Sequence, residues 1–89
     1  MISETDKNII REIAQKYNVK KILLFGSSLL PDKESKDIDI AVEGVSAYDF
    51  YKFYGELLFA LSKPVDLIEL SGTSKFVQIV QQEGVLLYG

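Results

Sequence analysis

The chain has 89 residues, is 47% hydrophobic and carries a net charge of −3, which suits one compact domain over residues 1–89 and leaves little room for a second. It contains no cysteine and no histidine, which excludes disulfide staples, thiolate zinc sites and imidazole chemistry. Carboxylates remain as the metal ligands, and they favour hard cations such as Mg2+ or Mn2+.

The acidic balance also argues against sequence-independent nucleic-acid binding, a mode driven by neutralising phosphates. No stretch is long enough to span a bilayer and the first residues lack the apolar core of a signal peptide, so the chain is expected to be soluble and cytoplasmic, with no membrane partner. The sequence leaves oligomerisation open.

Ser3 with Asp6 three residues on resembles a capping box. Ile9, Ile10, Ile13, Ala14 and Tyr17 then recur at helical spacing, and Asn18 is suited to the left-handed turn that ends a helix. Lys21 to Phe25 is a short apolar run, read as a strand covered on both faces, which stops at Gly26. From Gly26 to Lys36 the composition predicts a turn, a short helical segment around Ser28 to Leu30, and an exposed loop. Asp37-Ile38-Asp39-Ile40-Ala41-Val42 alternates acid and aliphatic, the period of a strand, and Gly44 closes it.

Ser46 is the expected N-cap of a second helix whose apolar stripe is Phe50, Phe53, Tyr54, Leu57, Leu58 and Leu61, ending before Pro64. Tyr48 and Tyr51 lie off that stripe and are candidates for a partner surface. Val65 to Leu70 reads as a strand, Thr73 to Glu83 as a helix carrying Phe76, Val77, Ile79 and Val80, and Val85 to Tyr88 as a final strand. The order predicts a small α/β (α+β) domain, with a mixed sheet of about four strands and helices mainly on one face.

The chemistry concentrates in two places. On a strand, Asp37 and Asp39 point to the same side with stems about 6.6–6.8 Å apart. At an effective dielectric of ~20 they repel by about 2–3 kcal/mol, and a divalent cation held between them reverses the sign. Asp66, at the start of the following strand, is the natural third ligand. Three carboxylates can hold two cations about 3.5–4 Å apart and serve a phosphoryl-type displacement, and Asp66 can also take the proton of an acceptor hydroxyl. Gly26 lets backbone approach a phosphate, and Ser27 adds an N–H and a hydroxyl. Glu69 falls on the face opposite Asp66 and reads as a solvated charge.

The segments LFGSS, KDIDIAV and PVDLIEL together resemble the DNA polymerase β-like nucleotidyltransferase superfamily and, within it, the minimal nucleotidyltransferase (MNT) proteins, over nearly the whole chain. The resemblance implies the polymerase β-like fold, NTP phosphates on Gly26 and Ser27, and Mg2+ on Asp37, Asp39 and Asp66 as the catalytic acids. It further implies transfer of AMP from ATP to a HEPN-domain toxin, with the MNT protein as antitoxin. The family usually follows glycine–serine with an Arg-x-Arg-Gly-like stretch. Here Ser28-Leu29-Leu30-Pro31 stands in its place, and Lys36 or Lys33 is expected to supply the phosphate-facing cation. The spacing from glycine–serine to the first acid is about one residue shorter than the commonest form. The altered loop motivates an alternative, a binding module that masks its partner and retains a relict nucleotide site. A small-molecule transferase is disfavoured, because such relatives usually carry extra domains.

Overall fold

The computed structural model describes residues 1–89. Ser3 Oγ accepts the Asp6 N–H, and helix α1 (Glu4–Lys16) runs from this cap to Tyr17. Asn18 then takes the left-handed conformation, φ +55°. The capping box is only half formed, because the Asp6 carboxylate turns elsewhere. It is 2% exposed and accepts the backbone N–H and hydroxyl of Ser62, beyond the far end of the second helix. A burial this deep requires such donors.

Strand β1 (Lys21–Leu24) pairs antiparallel with β2 (Ile38–Glu43), and the two are joined by 3-10 turns over Gly26–Leu29 and Asp32–Glu34. Helix α2 (Ala47–Ala60) starts at Ser46, whose hydroxyl accepts the Asp49 N–H, and leads to strand β3 (Val65–Glu69), parallel to β2. Helix α3 (Lys75–Glu83), capped by Ser74, returns the chain to strand β4 (Val85–Tyr88), antiparallel to β1. The sheet order is β3-β2-β1-β4. One parallel pair among antiparallel ones is the mixed sheet the sequence predicts.

Alternation along the strands divides the apolar residues between two faces. Ile22, Leu24, Ile38, Ile40, Val42, Val65 and Leu67 face α1 and α2, where Phe53 and Leu57 are fully buried in the main core. Truncating Phe53 to alanine should cost about 3–5 kcal/mol. Leu23, Ala41 and Leu70 face the other way and pack under Val77 and Val80 of α3. The helices therefore lie mainly on one face, with α3 covering part of the second.

Two stripes are narrower than their periodicity suggests. Leu58 of α2 is exposed, as are Phe76 and Ile79 of α3. A four-stranded sheet presents too little width to cover every apolar position of a helix laid across it. Tyr48 and Tyr51, off the stripe, are each 80% exposed.

Candidate functional site

The site is assembled at one end of the sheet, on the α3 face. β1 ends where β2 begins, because the two run antiparallel. β3 begins at the same end, because it runs parallel to β2, and the register places Asp39 directly beside Asp66. Neighbouring strands lie about 4.7–4.9 Å apart. Asp66 shares its face with Ile68, which packs toward α3, and Asp39 shares its face with Ala41. Asp37 stands one residue before β2 and two before Asp39. The three acids thus occupy one corner of the sheet, while Glu69 is exposed on a strand position of opposite parity.

The Gly26 turn closes over this corner. Gly26 has φ +54°, and a Cβ added there would lie 2.6 Å from Oδ2 of Asp39. Both facts demand glycine: the backbone is left-handed, and the space is already taken. The Ser27 N–H and hydroxyl both reach Asp39 Oδ2, at 2.9 and 2.7 Å. Ser27 Oγ also lies 2.9 Å from the Asp37 carbonyl. A hydroxyl has one proton, so it serves one of these acceptors at a time. A phosphate arriving at the turn would compete with Asp39 for the same donors. The 3-10 turn spans only Gly26–Leu29, too short for a useful macrodipole, so any anion grip rests on these individual donors.

The expectation that the three carboxylates converge closely enough to share a cation is not met by their side-chain positions here. No group of three acids is gathered for metal binding, and the Asp39 carboxylate is turned onto Ser27. The chemistry of the donor set nonetheless fits a hard divalent cation. All ligands are oxygen, Asp37 and Asp66 are exposed, and the five ion pairs of the chain involve other acids. Asp37, Asp39 and Asp66 have no cationic side-chain partner, which leaves their charge for a divalent ion to neutralise.

The connection from turn to strand is more firmly held than an exposed loop. Lys63 donates to the carbonyl and carboxylate of Asp32, at 2.6 and 2.8 Å. Buried Ser35 donates to the Asp37 carbonyl at 2.6 Å, and the Ile38 N–H reaches the Pro64 carbonyl at 2.8 Å. Lys36 and Lys33 are exposed on this connection and form no ion pair. Sequence reasoning gave Ser28 no role, yet it is fully buried, and its hydroxyl bridges the N–H and carbonyl of Asp39, each at 2.8 Å. Nothing in the spacing of Ser27-Ser28 distinguishes the inward serine from the outward one. Beside the turn, a cavity of about 290 Å³ is lined by Phe25, Leu29, Phe76, Ile79 and Glu83 among others.

A family model described as polymerase beta nucleotidyltransferase matches residues 7–89. Among solved structures, the chain resembles a toxin–antitoxin MntA–HepT crystal structure at 27% identity and TM-score 0.73, covering 98% of this chain and 73% of that one. It also resembles a toxin–antitoxin crystal structure with AMP-PNP at 30% identity and TM-score 0.72, covering 93% of this chain and 73% of that one. A third match is a tri-AMPylated Shewanella oneidensis HEPN toxin in complex with MNT antitoxin, at 29% identity and TM-score 0.71, covering 94% of this chain and 70% of that one. No curated protein matches the chain.

Proposed function

This chain belongs to the polymerase beta nucleotidyltransferase family, and on that premise we propose that it transfers AMP from ATP to a HEPN-type partner protein, acting as that partner's antitoxin. The observation that carries the reading is the register pairing of Asp39 with Asp66 beside a turn whose Ser27 donors already hold a carboxylate oxygen. Donors placed for one oxyanion suit another, and a phosphate oxygen makes the same demands. The relatives support the partner and the donor nucleotide: one is a complex with AMP-PNP, another contains an AMPylated HEPN toxin.

In this reading Ser27 N–H and Oγ hold a phosphate oxygen of ATP, and Gly26 lets the backbone come close enough to do so. Asp37, Asp39 and Asp66 would hold Mg2+ or Mn2+, which supplies charge neutralisation at the phosphates when bound. The acceptor hydroxyl oxygen bonds to the α-phosphorus, the bond from that phosphorus to the α–β bridging oxygen breaks, and pyrophosphate leaves. The acceptor proton passes to Asp66, which is exposed. Lys36 would supply the cation for the phosphates in place of the arginines that the Ser28–Pro31 segment lacks.

ATP labelled at the α-phosphate, incubated with Mg2+, this protein and its HEPN-type partner, is expected to label the partner, and Asp39→Asn to abolish the labelling. Label that never reaches the partner, although nucleotide and cation bind, refutes the transfer. The absence of any basic residue from Ser28 to Pro31 favours one second reading, a non-catalytic module that neutralises its partner by covering it. Neutralisation that survives the Asp37→Asn/Asp39→Asn double substitution would select it.

A further inference from the structure

We propose that Ser28 is a positioning residue, whose buried hydroxyl locks the Asp39 backbone to the Gly26–Ser27 turn so that the metal-holding acids and the phosphate donors keep one spacing. The inference rests on the nucleotidyltransferase reading of that corner and adds to it a residue that touches neither nucleotide nor cation.

The argument is one of backbone accounting. In a regular antiparallel pair, Phe25 and Asp39 would exchange two hydrogen bonds. Only one is made: the Phe25 N–H reaches the Asp39 carbonyl at 3.2 Å. The Phe25 carbonyl is instead taken by the Ser28 N–H at 3.0 Å, the first bond of the 3-10 turn. Bending the chain into that turn would therefore leave the Asp39 N–H without its strand acceptor. Ser28 Oγ fills the vacancy at 2.8 Å and returns its own proton to the Asp39 carbonyl, also at 2.8 Å.

The geometry of this replacement is demanding. The hydroxyl is fully enclosed, and it uses both of its hydrogen-bonding capacities on one residue. Ser27, the next residue back, fastens the same strand through the Asp37 carbonyl and Asp39 Oδ2. Consecutive serines thus hold consecutive parts of the acid pair from two sides. An alanine at residue 28 offers no acceptor and a large side chain has no room in the enclosed site, so the turn would part from β2 at the residue that carries Asp39.

The test uses the full chain with Ser28→Ala and the size-conserving Ser28→Cys, whose thiol is a weak hydrogen-bonding group. Two quantities are read: Mn2+ affinity, from the electron paramagnetic resonance of free Mn2+, and hydrogen exchange of the Asp39 amide by NMR. Lost outer partners of metal ligands typically weaken binding about 10- to 100-fold, and at least a tenfold loss of Mn2+ affinity is expected in the folded variants. The Asp39 amide should exchange at least tenfold faster than in the parent chain. Wild-type Mn2+ affinity in a folded variant, even one with a lower melting temperature, would overturn the positioning role, as would an unchanged Asp39 exchange rate. Should the parent chain itself bind no Mn2+, the nucleotidyltransferase reading fails first. Accelerated exchange at Asp39 would then still show the clamp, stripped of the role given to it here.

Discussion

Replacing Gly26 by alanine isolates the close approach on which the site is built. The substitution adds two separable penalties. Holding a non-glycine residue at φ +54° costs about 1–2 kcal/mol. The new methyl group would also sit 2.6 Å from Asp39 Oδ2, which drives the carboxylate off Ser27 and breaks hydrogen bonds worth about 1.5–3 kcal/mol each to a charged partner. Asp39 is half-buried and the expelled carboxylate regains water, so the net loss from this part is about 1–2 kcal/mol. The sum is about 2–4 kcal/mol.

Gly72 provides the control, since it also has positive φ, +79°, but an added Cβ meets nothing within 4 Å. Gly72→Ala should therefore show the strain alone, about 1–2 kcal/mol. Urea unfolding with an unchanged slope measures both. In an Asp39→Ala background the excess cost of Gly26→Ala should disappear, the signature of coupling between contacting residues. A Gly26→Ala variant no less stable than Gly72→Ala, or an excess that persists without the Asp39 carboxylate, would refute the reasoning.

Asp39→Ala should release the Ser27 donors. In EDTA it is expected to strengthen pyrophosphate binding about tenfold more than Asp37→Ala, which removes equal charge without touching the turn's hydrogen bonds to Oδ2; equal gains in a calorimetric titration would mean that charge alone matters. Asp6→Ala should cost about 1–3 kcal/mol in thermal or urea unfolding, because the Ser62 N–H and hydroxyl lose their carboxylate. Glu56 is held below the ordinary carboxylate range, first by the Tyr17 hydroxyl and then by Lys16. The tie between α1 and α2 is therefore fully present above pH about 4.5 and lost as pH falls through the lowered native value. Tyr17→Phe should raise the Glu56 midpoint in a carboxyl-carbon NMR titration. The Tyr17 phenol is itself pushed up to about 12, chiefly by its bond to Glu56, so that its share of stability persists below pH about 10 and disappears as pH rises through the native value. A late phase in the tyrosinate absorbance that vanishes in Glu56→Gln checks it.

The legible parts of the fold were those governed by local rules. Ser3 and Ser46 cap α1 and α2 where the sequence places them, and Asn18 takes the left-handed turn. Gly26 and Pro64 punctuate the chain as composition predicts. Periodicity distinguishes strand from helix but does not say how wide a surface each element will meet, which is why Leu58, Phe76 and Ile79 emerge exposed. For the site, alternation puts Asp39 on the face of Ala41, but Asp37 lies in the bend before β2 (Ile38–Glu43), outside the strand on which alternation rests, and the neighbour relation of Asp39 and Asp66 depends on the β2–β3 register, a long-range property. The side-chain direction of Asp39 and the inward position of Ser28 depend on how the 3-10 turn closes on β2. No spacing rule carries that information.

The most direct measurement is a crystal structure of the full chain with Mn2+ and a non-hydrolysable ATP analogue, with the cation located by anomalous scattering. The account predicts manganese between Asp37, Asp39 and Asp66, the Asp39 carboxylate withdrawn from Ser27, and a phosphate oxygen in its place on the Ser27 N–H. Manganese elsewhere, or a nucleotide bound while Asp39 still occupies the Ser27 donors, would contradict it.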